Sequence, residues 1–412
     1  MNKMNSFGLN VSAIKQNNRS LILKLLRDKG PLSRKDMAVY SGLTPAAVTN
    51  IVNEMINQKL LKETGHVSGN GKPGRRRILV DIDKSQKFII GINIGTKKIA
   101  LGVSDMDMNL LDYEEIEISD REHPEKLLMS LGNRVLRMLW ELNIVKENVI
   151  GAGVGIVGSV DPENGKSNFS YGIWNESVNI REILQKQLGV RVVVENNVRA
   201  LAISEFNLRR YSNVNNLIFV KHGPGLGSAV IVNRHLFYGS TNNAGEIGHM
   251  VIEKDGPVCR CGQKGCLEAL ISTDKIISEV SKKFGKDETP WLFSNRTLDD
   301  LKFEDIIQAY EKSDMGVQAV VEKVLDYLVL GITNVMKIFD PEKVILYGIM
   351  FKSDKVMKSL LKKIEELTSN TKASSKVEIS NLDSKNKVIG GLSLVLERLF
   401  YEREAIFNKN NI

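Results

Sequence analysis

Cysteine occurs three times in this 412-residue chain, and all three fall within Cys259-Arg-Cys261-Gly-Gln-Lys-Gly-Cys266. A histidine stands just upstream in Glu246-Ile-Gly-His249. Three thiolates and an imidazole complete a tetrahedral shell for zinc, with Zn–S near 2.3 Å and Zn–N near about 2.0–2.1 Å. A closed shell leaves no position for an activated water, so a metal held by His249, Cys259, Cys261 and Cys266 is expected to be structural. Glu246 and Glu268 flank the cluster. A loop folded by metal carries both carboxylates to fixed places, and fixed acceptors are what a polyhydroxylated ligand such as a sugar requires. The alternative is a cysteine-rich surface loop, or a disulfide with one spare thiol. An odd cysteine count and the lack of a secretory apolar segment argue against an oxidised framework.

The charge is located as unevenly as the cysteines. The chain carries a net +8, and residues 1–83 alone hold 14 Lys and Arg against 6 Asp and Glu. The remainder is therefore balanced, so one end of the chain is built to meet a polyanion and the rest is not. With 42% hydrophobic and 26% charged residues, the composition is that of a globular chain with a large core. No stretch of about 18 apolar residues occurs, so no membrane partner is expected and the location is expected to be cytoplasmic.

Three helices and a hairpin are expected in the basic segment. Leu21, Ile22, Leu25 and Leu26 repeat at helical spacing and stop before Gly30-Pro31. Ser33 can cap a second helix that Gly42 closes. Thr44-Pro45 then opens a third helix running to about Lys59. Its apolar stripe is Val48, Ile51, Val52, Met55 and Ile56, while Ala46, Thr49, Asn50 and Asn53 share the opposite face. A short, uncharged, hydrogen-bonding face suits the major groove. Gly69-Asn-Gly-Lys72-Pro-Gly74 reads as a hairpin tip, followed by Arg75, Arg76 and Arg77, which can hold phosphates or reach the minor groove. The segment is thus expected to be a winged helix-turn-helix on double-stranded operator DNA, with Ser33, Thr44 and Lys72 joining the residues already named.

Beyond Asp83 the pattern becomes strands interleaved with helices, an α/β architecture. Phe88–Ile94 and Ile99–Val103 form a hairpin, and further strands are expected at Ile150–Val157, Val190–Val194, Leu217–Val220, Ser228–Val232 and Lys343–Tyr347. Helices are expected over Pro124–Glu141 and Val317–Phe339. Two similar hairpin openings, Gly91–Thr96 and His222–Gly227, hint at a duplicated lobe.

The order of these features resembles the ROK family of repressors and sugar kinases. The winged helix precedes Asn93-Ile-Gly95-Thr96, Glu195-Asn196-Asn197, Gly223-Pro-Gly225-Leu-Gly227, Glu246-Ile-Gly-His249 and Cys-x-Cys-Gly-x-x-Gly-Cys-x-Glu. With its N-terminal extension the chain resembles the xylose-repressor and N-acetylglucosamine-repressor branch more than the stand-alone kinases. The resemblance implies a two-lobed actin- or hexokinase-like fold: residues 1–83 as the winged helix, 84–205 with 386–412 as the first lobe, and 206–385 as the second lobe with the zinc site and dimerisation surface. It also implies that Asn196, Glu246, His249 and Glu268 contact a sugar, His249 through the nitrogen that zinc leaves free, with Asn197 able to bind a hydroxyl.

The kinase residues depart from the family pattern. Asn93 and Asn197 stand where the resemblance places kinase aspartates, and an amide takes up no proton near neutral pH. Pro224 lacks the N–H and hydroxyl a threonine offers a phosphate. The expectation is a sugar-responsive transcriptional repressor with no catalytic residue, most readily xylose-responsive, acting as a homodimer or dimer of dimers; the alternative is an ATP-dependent sugar kinase.

Overall fold

The computed structural model describes residues 11–67, 77–118, 123–170, 172–207, 211, 213–369, 371–383 and 385–402. They form two compact units, one running to Ser204 and resuming at Lys387, the other spanning Glu205–Asn386.

The first unit opens with helices α1 (Val11–Lys29), α2 (Arg34–Ser41) and α3 (Pro45–Asn57). The local chemistry explains their limits. Ser33 accepts from the Asp36 N–H at the start of α2, and Gly42 ends it at φ 69°, a left-handed cap. Thr44 accepts from the Ala47 N–H with Pro45 in the first turn of α3. Strands β1 (Leu32–Ser33), β2 (Leu61–Val67) and β3 (Arg77–Ile82) form an antiparallel sheet in the order β1-β3-β2. This is the winged-helix arrangement expected for the basic segment.

The rest of the unit is a five-stranded sheet built from β4 (Phe88–Ile94), β5 (Lys98–Asp105), β6 (Leu110–Glu117), β7 (Val149–Ile156) and, beyond the ribbon β8 (Ser159–Asp161) with β9 (Lys166–Phe169), β10 (Val192–Asn196). Its order is β10-β7-β4-β5-β6. The pairs β10–β7 and β7–β4 are parallel, whereas β4–β5 and β5–β6 are antiparallel. Helices α4 (Pro124–Glu141), α5 (Ile180–Leu188) and α6 (Asn197–Phe206) complete the layers. Leu128, Leu131 and Val135 from α4 and Leu184 from α5 bury against the β-branched face of the sheet.

A C-terminal helix, Ile389–Leu394 continuing as a π-helical turn over Val395–Tyr401, lies across this sheet. Glycines let the backbones touch: a Cβ on Gly153 of β7 would come within 2.0 Å of the Gly391 carbonyl oxygen, and one on Gly91 within 2.8 Å of the Val388 carbonyl oxygen. The same helix gives Val395, Leu399, Phe400 and Tyr401 to a cluster shared with Ile22, Leu26, Met55 and Val80 of the winged helix. Arg27 of α1 pairs with Glu397 at 2.9 Å and stacks on the Tyr401 ring at 4.9 Å. Ser20 Oγ donates to the Tyr401 carbonyl. The N-terminal helices and the lobe therefore share one core.

The second unit repeats the plan. Strands β11 (Leu217–His222), β12 (Leu226–Val232), β13 (His235–Leu236), β14 (Lys343–Tyr347) and β15 (Val377–Ile379) are ordered β13-β12-β11-β14-β15. Again a hairpin meets two parallel strands, so the hint of duplication in the two hairpin openings is a duplication of sheet topology. Helices α7 (Leu267–Ile271), α8 (Thr273–Ser281), α9 (Pro290–Asn295), α10 (Phe303–Glu311), α11 (Met315–Phe339), α12 (Asp354–Thr368) and α13 (Thr371–Ser374) surround it. The long α11 supplies Val321, Leu325, Leu328 and Ile332 to the core. Among the described residues no helix is long and apolar enough to cross a membrane.

Phe400 tests the shared core. It is 2% exposed, so Phe400→Ala should cost about 3–5 kcal/mol. Hydrogen exchange should show protection falling in α1 and in β4 together; loss confined to the lobe would mean two independent cores.

Candidate functional site

The second unit gathers His249, Cys259, Cys261 and Cys266 so that one ligand atom from each lies within 4.8 Å of all the others. His249 Nδ1 is 3.6 Å from Cys259 Sγ, and Cys261 Sγ is 3.6 Å from Cys266 Sγ. Sulfurs bound tetrahedrally at about 2.3 Å lie about 3.8 Å apart, so the spacing fits zinc. Short-range geometry builds the cluster. His249 ends a single 3₁₀ turn, Ile247–His249, and Cys266 immediately precedes α7. Cys259 N–H donates to the Gln263 carbonyl at 2.7 Å, closing the turn that carries Cys261. Gly265, at φ 72°, is pressed against Glu253: a Cβ there would fall 1.4 Å from the Glu253 carbonyl oxygen. No other residue fits that corner.

Burial raises the Cys259 pKa, and burial followed by hydrogen bonding and charge from the other two sulfurs pushes Cys266 up to about 12. Burial opposes ionisation of Cys261 too, but the Gln263 backbone N–H and the neighbouring thiols outweigh it and lower that pKa. A divalent ion bound here would bring all three to the thiolate form by compensating their charge.

With Nδ1 turned to the sulfurs, His249 Nε2 lies 3.9 Å from Glu246 Oε2 and 3.9 Å from Glu268 Oε2. Glu246 is exposed at the turn before His249, while Glu268 is buried on the first turn of α7. The three side chains expected to contact a sugar in this half of the chain thus stand together. Glu268 is also gripped by Arg260, whose Nη2 lies 2.5 Å from Oε1. Sequence reasoning passed over Arg260.

In the first unit the two asparagines differ. Asn196 ends β10 and is spent on structure: its Oδ1 accepts from the Val198 and Arg199 N–H groups at 2.9 and 3.3 Å, and its Nδ2 donates to the Gly158 carbonyl at 2.9 Å. The amide is the cap of α6, so little of its hydrogen-bonding capacity is left for a ligand. Asn197 makes no side-chain hydrogen bond among the described residues. It flanks Gly155 together with Asn93, whose Oδ1 would lie 3.6 Å from a Cβ placed there. Behind Asn196, the buried Glu195 carboxylate pairs with Arg199 at 3.3 Å and with Arg398 of the C-terminal helix at 3.5 Å.

The other aromatic and glycine features resolve as packing. Trp174 is buried with its Nε1 donating to Ser167 Oγ at 3.1 Å. His222, beside the Gly223-Pro224-Gly225 loop, is buried between Phe303 and Phe351, with its Nε2 2.7 Å from the Ile271 carbonyl. The Pro224 carbonyl accepts from the Thr273 N–H at 2.9 Å.

In the winged helix, Val48, Ile51, Val52 and Met55 of α3 are buried, and Thr44, Ala46, Asn50 and Asn53 are exposed with Thr49 partly so. Thr49 Oγ1 donates back to the Pro45 carbonyl at 2.8 Å. Arg34 holds the Asn53 side chain and Glu63 of β2, each at 3.0 Å. Arg77 is exposed and reaches Asp36 at 3.4 Å. Ser33 differs from expectation: it is 3% exposed and its hydroxyl serves the α2 cap, so it presents nothing to a groove. Lys72, Arg75 and Arg76 lie outside the described residues.

The ROK family profile matches residues 89–398, and the chain belongs to that family. It is 28% identical over 392 residues to the xylose repressor of Caldicellulosiruptor bescii, covering 94% of this chain and 97% of that one. It is 29% identical over 348 residues to the DNA-binding transcriptional dual regulator NagC of Escherichia coli, with 84% of each chain covered. Among solved structures, a ROK family transcriptional regulator, homolog of the E. coli MLC protein, superposes with a TM-score of 0.84 at 24% identity, covering 95% of this chain and 98% of its own. The ROK hexokinase of Thermus thermophilus gives 0.60 at 23% identity; 99% of it is matched but only 76% of this chain.

Two measurements follow from this geometry. Purified protein should carry one zinc per chain, and Cys266→Ser should lose it with hydrogen-exchange protection falling between residues 246 and 268 while α1–α3 stay protected; a metal-free wild type with that region protected would contradict the assignment. Burial lowers the His222 pKa from 6.5 to about 4. The unfolded chain then takes up a proton that the folded one refuses, so stability should fall as pH drops through that interval. Denaturant titrations should show a smaller decline for His222→Gln.

Proposed function

We propose that this protein is a sugar-responsive transcriptional repressor of carbohydrate-utilisation genes. The observation that carries the reading is the double role of His249: one ring nitrogen faces three sulfurs and the other faces Glu246 and Glu268. A metal on Nδ1 fixes the tautomer, leaving Nε2–H as a donor aimed beside two carboxylate acceptors. Donor and acceptors fixed together suit adjacent sugar hydroxyls, and zinc is the metal that the donor set favours. Glu246, His249 and Glu268 are assigned as sugar contacts with Asn197, and Asn196 holds the turn that presents Asn197.

DNA binding is assigned to residues 1–83, through the exposed Thr44, Ala46, Thr49, Asn50 and Asn53 in the major groove and Lys72, Arg75, Arg76 and Arg77 at the wing. The names borne by the relatives, xylose repressor and NagC, support a regulator acting on operator DNA in the cytoplasm. Two-fold symmetry of a palindromic operator favours a homodimer or dimer of dimers. Xylose is the first effector to try, then glucose and N-acetylglucosamine. Asn93 and Asn197 offer no general base, so the sugar is sensed and not phosphorylated.

Operator affinity should fall steeply with salt, and Arg75→Ala should weaken binding to all sequences and reduce the logarithmic salt slope by about 1. Asn50→Ala should instead narrow the gap between operator and mismatched DNA by roughly 1–3 kcal/mol. An unchanged slope and an unchanged gap in fluorescence anisotropy would remove the winged helix from the interface.

Glu268→Ala and Asn197→Ala should abolish sugar-induced release while sugar-free operator binding stays near wild type. Asn196→Ala should act differently, costing roughly 0.5–2 kcal/mol of stability through the lost cap. Wild-type protein should release no ADP from ATP with any of the three sugars; sugar-dependent turnover in a coupled assay would make the chain a kinase.

A further inference from the structure

Arg260 sits between two of the sulfur ligands, Cys259 and Cys261, and so its backbone is held from both sides by the metal cluster. The Cys259–Gln263 turn fixes it further, with Gly262 N–H donating to the Cys259 carbonyl at 2.9 Å. From this anchorage the guanidinium takes both oxygens of one carboxylate: Nη2 lies 2.5 Å from Glu268 Oε1 and Nε donates to Oε2 at 3.2 Å. Glu268 is 6% exposed at its side chain, against 43% for Arg260. On its other side the carboxylate meets main chain, since a Cβ on Gly225 would fall 1.9 Å from Oε1. Oε2 is the oxygen that lies 3.9 Å from His249 Nε2.

A carboxylate accepts about four hydrogen bonds, and a fork that takes one from each oxygen leaves the remaining directions fixed in space. A lysine would neutralise the charge without setting the plane. We infer that Arg260 is the positioning residue of the sugar site: it converts the rigidity of the metal loop into a set orientation of Glu268, and thereby determines which hydroxyl arrangement the site accepts. This rests on the sugar-sensing reading above. Arg260 itself acts through Glu268, in the way an outer-shell group orients a metal ligand.

The inference separates orientation from both charge and metal content. Calorimetry with xylose, glucose and N-acetylglucosamine would be run on zinc-loaded full-length wild type, Arg260→Ala, Arg260→Lys, Gly225→Ala and Glu268→Ala, with zinc content and sugar-free operator affinity measured for each. Arg260→Ala should bind the preferred sugar roughly tenfold or more weakly, the loss expected for a misdirected charged hydrogen bond. The spread of affinities across the three sugars should narrow, zinc should stay at one per chain, and operator affinity should be unchanged. Arg260→Lys should not restore the ranking. Gly225→Ala, whose Cβ would fall 1.9 Å from Glu268 Oε1 and 3.1 Å from Arg260 Nη2 and so displaces the carboxylate together with its fork, should give the same narrowing. Wild-type affinities and ranking in Arg260→Ala, alongside lost binding in Glu268→Ala, would overturn the positioning role and leave the sugar reading standing. If none of the three sugars binds wild type, the sugar reading falls; a crystal structure of zinc-loaded Arg260→Ala then decides the positioning role, supported by a turned Glu268 carboxylate and overturned by an unmoved one.

Discussion

The contact on which most of the first unit depends is one between backbones. Gly153 of β7 and Gly391 of the C-terminal helix meet so closely that either Cβ would collide with the other's carbonyl, at 2.0 and 2.5 Å. Gly91 of β4 makes the same allowance for Val388 and Leu392. Packed layers normally stand well apart, about 10 Å for stacked sheets, because side chains separate them. Here the missing side chains let the helix sink onto the strands, and its outward residues then lie deep enough to finish the core of the winged helix.

Two neighbouring residues of that helix bond in different directions. Glu397 pairs with Arg27 of α1, and Arg398 pairs with Glu195, one residue before the cap at Asn196. The turn that carries Asn197 and the first helix of the winged-helix segment are therefore fastened to the same short piece of chain. Arg19 of α1, 4% exposed and paired with Glu54 of α3, carries the connection on into the helix with the exposed polar face. These are buried or half-buried pairs, where breaking one partner leaves a charge with poor solvation.

Much of this was legible in the sequence because local chemistry decided it. Thr44-Pro45 and Gly42 bound α3 and α2 through capping rules that need no tertiary partner, and α4 runs over Pro124–Glu141 as its periodicity indicated. The cluster of His249, Cys259, Cys261 and Cys266 was visible because residue types and spacing of this kind suit a metal. What stayed hidden depends on contacts between distant segments. The π-helical end over Val395–Tyr401 has no signature of its own, and its partners Ile22 and Leu26 look like an ordinary amphipathic stripe. The resemblance implies a sugar contact at Asn196, and the sequence alone does not show that its amide bonds to the α6 N–H groups, because the strand runs on to Asn196 and does not end at Val194. Arg260 carries no signal of its own in the sequence, since nothing local says that Glu268 will fold back beneath it.

The discontinuity of the first unit has a consequence for how the protein is made. Arg27 and Glu397 are 370 positions apart, and at about 5–20 residues per second a ribosome needs roughly 20–70 seconds to travel between them. The segment Glu205–Asn386 is a compact unit without interruption and is complete before the closing helix emerges. The winged helix is synthesised first yet receives the last side chains of its core at the end of translation. A nascent chain thus carries a winged helix whose core stays unfinished for most of its synthesis.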